Sequence, residues 1–218
     1  MTRHLLTIFS ISLIACGQQA PSQIDNSEID NKTPSATKIV FDQNDSANNY
    51  YLAIEPKSDT IVGALILLSG FGQDAESIFP ETKLDSVAYI NNILTIAIAG
   101  GNKLYADSAV QSKLTAVLED VIYKYKIDPD KFVLGGYSAG GMIVLRYVEL
   151  CNEFPDKYPI HPKGVFMVDS PIDIFTIWDD LAESAENRYS DMAVEEAERA
   201  MAYIKDDYGV PRENISVY

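Results

Sequence analysis

Five residues near the middle of the chain have the types and spacing for acyl chemistry: Gly136, Tyr137, Ser138, Ala139 and Gly140. A serine that attacks a carbonyl must stand clear of the backbone around it, on a turn too tight for neighbouring side chains. Glycines two positions before and two after it remove the Cβ atoms that would clash there. The flanking residues suit the same purpose. Phe132, Val133 and Leu134 read as a short apolar strand, and Met142 to Val148 continue without proline or glycine as a helix. Ser138 then sits on a sharp turn with a helix N-terminus pointed at it. Free N–H groups and the positive end of the helix dipole face the place where an oxyanion would form.

A serine nucleophile needs a base, and the chain has two histidines, His4 and His161. His161 precedes the strand-like run Gly164–Val168, whereas Ser138 follows its strand. In a parallel sheet those are opposite edges, about 15–20 Å apart for strands of five or six residues. His161 is therefore expected in a surface loop between Pro159 and Pro162, away from the serine. Asp169 and Asp173 are the acid candidates, with capping of the following helix as their other role. No His or Cys cluster is present, so neither a metal nor another cofactor is expected. Cys16 and Cys151 are the two cysteines. Cys151 follows a helical run and reads as a small buried filler.

GGYSAGG resembles the nucleophile elbow of the α/β-hydrolase superfamily, and Ser69-Gly70-Phe71-Gly72-Gln73 resembles its oxyanion loop. Here Ser69-Gly70 stands where the usual form carries His-Gly. The resemblance implies a serine hydrolase of the esterase or lipase kind, with peptide-bond hydrolysis also compatible. It implies Ser138 as nucleophile and the backbone N–H groups of Phe71 and Ala139 as oxyanion donors. It also implies the chain order Ser, acid, His. The acid usually follows a later strand, although some members place it where Asp169 and Asp173 stand. VPRENISVY repeats the form of IDPDKFVLGG, the run that leads into the Ser138 strand. It reads as the start of another strand, with Ile215 and Val217 facing inward. The C-terminal strands of the fold, with the acid and the histidine, are thus expected beyond Tyr218. The absence of a usable histidine leaves a second reading open, a non-catalytic envelope protein that uses the same pocket to bind a ligand.

These residues need an α/β framework to position them. Strand-like and helical runs alternate, which predicts a doubly wound, mostly parallel sheet with helices on both faces over residues 38–218. Lys38–Phe41 and Tyr50–Ile54 flank a polar turn and predict an edge hairpin. Ile61–Leu68 is apolar throughout, as strands buried on both faces are, and Ile93–Ala99 reads as a second buried strand. Gly164–Val168 reads as a further buried strand. Ala75–Asn92 is helical in part, and Pro80 is expected to break or begin the helix. Ser108–Lys126 carries apolar residues at Val110, Leu114, Val117, Leu118, Val121, Ile122 and Tyr125, a helical period. Ligands in such sheets sit at the C-terminal ends of the strands. Ser69–Gln73, Gly100-Gly101, Ser138 and Asp169–Asp173 all fall there. The acidic run 174–209 predicts helices that either cap the pocket, through Phe175, Trp178 and Tyr189, or simply contribute to the core. Val194, Ala197, Met201 and Ile204 form an apolar stripe, and Gly209 with Pro211 ends the helix.

The N-terminus is separate from this frame. Arg3 and His4 precede an apolar run, Leu5 to Ala15, too short to span a bilayer, which predicts a signal peptide over residues 1–15. Leu13-Ile14-Ala15-Cys16 resembles the lipobox of bacterial lipoproteins. The resemblance implies a lipidated Cys16, a membrane partner and a location in the cell envelope, at the outer membrane or the periplasmic face. Residues 17–37 are polar and read as a tether between anchor and domain. The net charge of −15 argues against nucleic acid as a partner. An acyl substrate, small or lipid-like, is the expected ligand.

Overall fold

The structure, a computed structural model, describes residues 35–188 and 190–209. The signal peptide, Cys16, most of the tether, Tyr189 and the strand expected from residue 210 onward lie outside the described residues.

Six strands form one sheet in the order β1-β2-β4-β3-β5-β6. They are β1 (Thr37–Val40), β2 (Tyr50–Ile54), β3 (Gly63–Leu68), β4 (Ile93–Ile98), β5 (Phe132–Tyr137) and β6 (Gly164–Val168). β1 and β2 are the expected edge hairpin, and β2 runs antiparallel to β4. The other four are mutually parallel, with β3 between β4 and β5. The helices are α1 (Ile78–Glu81), α2 (Leu84–Ile90), α3 (Ser108–Tyr125), α4 (Ala139–Glu153), α5 (Ile174–Asn187) and α6 (Asp191–Tyr208).

The two-residue period of the strands divides the core into two layers. Tyr51, Ala64, Ile66, Leu68, Leu94, Ile96, Ile98, Phe132 and Leu134 face the layer closed by α3 and α4. Leu52, Leu67, Ala97 and Tyr137 face the other side, where Ala75 and Ile78 pack on them. This is why β3 is apolar throughout and β4 at every position but Thr95, which is itself fully buried: each side chain has a layer to enter. α3 follows its sequence period, with Leu114, Val117, Leu118 and Val121 buried. Asp107 caps its N-terminus by accepting from the Val110 N–H at 2.9 Å, and Lys126 ends it in the left-handed region.

Three expectations need correction. β3 begins at Gly63, since Ile61 and Val62 are a loop tied by the Val62 N–H to the Asn92 carbonyl. Pro80 neither starts nor breaks a helix. It sits in the first turn of the one-turn α1, where its missing N–H has no partner to lose. β6 is half-exposed, with Val168 44% accessible, because among the described residues it pairs only with β5 and forms the outer edge.

Candidate active site

β5 ends at Tyr137 and α4 begins at Ala139, so one residue makes the turn between them. That residue is Ser138, with φ 49° and ψ −127°. A non-glycine residue held there costs about 1–3 kcal/mol and persists only when its surroundings fix it. The surroundings are visible. The Ser138 N–H donates to the Val168 carbonyl at 2.9 Å, and the Ser138 carbonyl accepts from the Gly141 N–H at 3.0 Å. A Cβ on Gly136 would fall inside the backbone of Gly140 and Gly141, closing the turn to any larger residue. A Cβ on Gly140 would lie 2.6 Å from the Leu68 carbonyl oxygen and press on that of Ser69. The elbow therefore packs directly on the end of β3, and the serine side chain is left exposed.

The loop after β3 is held against the elbow. Ser69 is buried; its hydroxyl donates to the Gln73 carbonyl at 2.8 Å and accepts from the Gly100 N–H at 3.2 Å. The Gly70 N–H donates to Gln73 Oε1 at 3.0 Å, and the Gly72 N–H to the Gly101 carbonyl at 2.9 Å. A Cβ on Gly70 would stand 3.5 Å from the Ser138 Cβ, which shows how closely loop and serine approach. Among the described residues, no protein acceptor takes the backbone N–H of Phe71 or of Ala139. Both residues line the same pocket as Ser138, a cleft of about 710 Å³. Ser69, in the position that is usually His, has become a brace between this loop and the one that follows β4.

Asp169 and Asp173 part company. Asp169, in the left-handed region at φ 49°, lines the pocket. Asp173 is the N-cap of α5: one carboxylate oxygen accepts from the Thr176 N–H and the other from the Thr176 hydroxyl, both at 2.7 Å. It is absent from the pocket wall, and the capping role is the one the geometry gives it. His161 lies at the other end of the sheet, exposed, with Nδ1 2.9 Å from Asp130 Oδ1 before β5. Cys151 is buried in the layer of α3 and α4, and burial pushes its thiol up to about 12.

α5 and α6 form the far wall. Thr176, Asp180 and Ser184 of α5 and Ala193, Glu196 and Ala200 of α6 face the cavity. Ile174, Ile177, Ala200 and Ile204 pack with Phe71, Ala139 and Met142, and Phe175 and Trp178 lie against this cluster. The buried stripe of α6 is Ala197, Ala200 and Ile204; Val194 and Met201 are only partly covered. Sequence reasoning missed the grip of α6 on Phe71. The Arg199 guanidinium stands 5.6 Å from the centre of the Phe71 ring, and Tyr203 meets that ring edge-on at 5.5 Å. The signal was the i, i+4 spacing of Arg199 and Tyr203. It missed Thr176, Asp180 and Ser184 as well, which repeat every four residues beside the apolar face of α5.

No family model matches the sequence, and none of the curated proteins matches it. Solved structures do match. "A putative esterase from Staphylococcus aureus" superposes with a TM-score of 0.54 at 15% identity, over 91% of this chain and 63% of that one. FphF, a fluorophosphonate-binding serine hydrolase of the same organism, gives 0.48 at 14% identity, over 72% and 68%. A monoglyceride lipase from Saccharomyces cerevisiae gives 0.46 at 16%, over 78% and 56%. The chain thus spans roughly three fifths of the length of these proteins. The mixed, mostly parallel sheet with helices on both faces is the α/β-hydrolase fold.

Proposed function

We propose that this protein is a serine hydrolase that cleaves an ester or other acyl bond through Ser138 and is held at the bacterial cell envelope by a lipid on Cys16. One observation carries the catalytic half. Ser138 occupies a strained one-residue turn at the floor of a cleft that Phe71 and Ala139, each with an open backbone N–H, also line. In this reading the Ser138 hydroxyl oxygen bonds to the acyl carbon, and the carbonyl π pair moves onto its oxygen. The N–H groups of Phe71 and Ala139 take that charge. Collapse of the adduct breaks the bond to the alkoxide, which takes up the proton lost from the Ser138 hydroxyl and departs as the alcohol, leaving an acyl-serine for water to hydrolyse. The shared fold with a Staphylococcus aureus protein described as an esterase supports the same chemistry.

A fluorophosphonate probe on the full protein should label one site, Ser138, and Ser138→Ala should abolish the labelling. A folded protein that resists the probe refutes this reading. His161 favours a second one. It is the sole histidine among the described residues and it pairs with Asp130 at the opposite edge of the sheet. A pocket that binds an acyl compound without turning it over then leaves Ser138 unlabelled but still takes up a non-reactive ester analogue.

The anchor rests on the sequence Leu13-Ile14-Ala15-Cys16 behind a short apolar run. Cys16→Ser should release the protein from membranes or block its processing. Unchanged fractionation and unchanged mass overturn it.

A further inference from the structure

The wall of the Ser138 pocket carries charge of one sign. Asp169 comes from the loop after β6, Asp180 from α5 and Glu196 from α6, so the three carboxylates surround the cavity from separate elements. Among the described residues, no lysine, arginine or histidine lines it. Among the described residues, none of the three carboxylates makes a hydrogen bond or an ion pair. The cation on the adjacent turn of α6, Arg199, is engaged on the Phe71 ring. The rest of the lining is mainly apolar, including Leu104, Met167, Ile177 and Leu181. The described acidic residues form no group able to hold a metal ion.

We propose that the pocket selects acyl compounds with an apolar body and a positively charged amine or quaternary ammonium group, and that it rejects those bearing a carboxylate. This rests on the Ser138 pocket being the substrate site. A cation entering it meets three unpaired carboxylates and gives up little hydration, since the pocket is open. An anion meets the same three with no basic group to receive it. Opposite charges in such a partly screened site attract strongly enough for a preference of about tenfold or more at low salt, and salt should compress it.

The test uses three methyl ketones of equal chain length, which are not hydrolysed. Their common chain ends in trimethylammonium, tert-butyl or carboxylate. Binding to the full protein is measured by calorimetry at low salt and at 0.5 M salt, an ionic strength chosen to screen surface charge. The expected order is cation, neutral, anion, with at least about tenfold between the first two. Asp180→Asn with Glu196→Gln should shrink that gap severalfold. Equal affinities for the cationic and neutral ketones overturn the proposal, as does a preference that survives the double variant. Fluorophosphonate labelling is run in parallel. Charge preference with an unlabelled Ser138 refutes the hydrolase and keeps the selectivity. Labelling without preference does the reverse.

Discussion

Replacing Gly140 with alanine adds one methyl group at the point where the elbow meets the oxyanion loop. That methyl would stand 2.6 Å from the Leu68 carbonyl oxygen and 2.9 Å from its carbon, and nearer still to the Ser69 oxygen. Carbon and oxygen ordinarily rest about 3.3–3.6 Å apart, so α4 and the end of β3 must separate by roughly 0.7 Å or more. Neither side can yield by rotating a side chain. Both walls are backbone, and β3 is flanked by paired strands on each side. Overpacking of this kind costs about 1–3 kcal/mol, which for a chain of this size lowers Tm by about 2–12 °C. The larger effect should be on reactivity. Ser69 leads into Phe71, so moving it carries one proposed oxyanion donor away from Ser138, and loss of one such donor costs about 10²–10³-fold. The rate of fluorophosphonate labelling, read beside a thermal melt, separates the two effects. Gly164→Ala is the control, because a Cβ there meets nothing within 4 Å. If the Gly140→Ala protein melts like wild type and labels at its rate, the packing between elbow and loop is not what positions the oxyanion donors.

Asp173→Ala should cost about 1 kcal/mol in a melt through loss of the cap on α5 and leave Ser138 labelling within about twofold; a hundredfold loss of labelling would make it a catalytic acid after all. Arg199→Ala should slow labelling severalfold by freeing the Phe71 ring, with partial recovery in Arg199→Lys, whose ammonium can also sit over the ring; an unchanged rate removes α6 from any positioning role. Alkaline stability should fall from about pH 9 upward. Burial, its first cause in each case, pushes the Cys151 thiol up to about 12 from 9.0 and the Tyr125 hydroxyl up to about 12 from 10.0, so the unfolded chain sheds protons that the folded one keeps. The loss runs at about 1.4 kcal/mol per pH unit per group between those values, and Cys151→Ala should make the fall in urea midpoint shallower between pH 9 and 12.

Much of this site could be read from residue types because its demands are backbone demands. A turn of one residue, closed on a neighbouring strand, admits only glycine at Gly136 and Gly140, and the sequence displays that restriction openly. Strand runs such as Gly63–Leu68 and Ile93–Ile98 were legible for a similar reason. Burial on both faces leaves Thr95 as the one polar side chain in these two runs, so the composition states the environment. β6 shows where that inference stops. Gly164–Val168 is as apolar as its neighbours, yet it is half-exposed at the edge, because apolar side chains report what a strand can tolerate and not what covers it.

The far wall of the pocket was hidden for a different reason. α5 and α6 present mixed faces to the cavity, with hydroxyls, carboxylates and alanines side by side, and a four-residue spacing such as that of Thr176, Asp180 and Ser184 marks an ordinary solvated helix face equally well. A face that lines a cleft is neither core nor plain surface, so it carries neither signature. Asp173 illustrates the ambiguity. An aspartate after a strand and before a helix has the same sequence context whether it orients a base or caps the helix, and only its two bonds to Thr176 decide between them. Asp169, one turn earlier in the same loop, has no such bond and faces the serine's pocket. Chemistry that depends on a side chain's direction is thus invisible to residue type. The glycine-defined elbow, which depends on the side chains being absent, is the part that the sequence states outright.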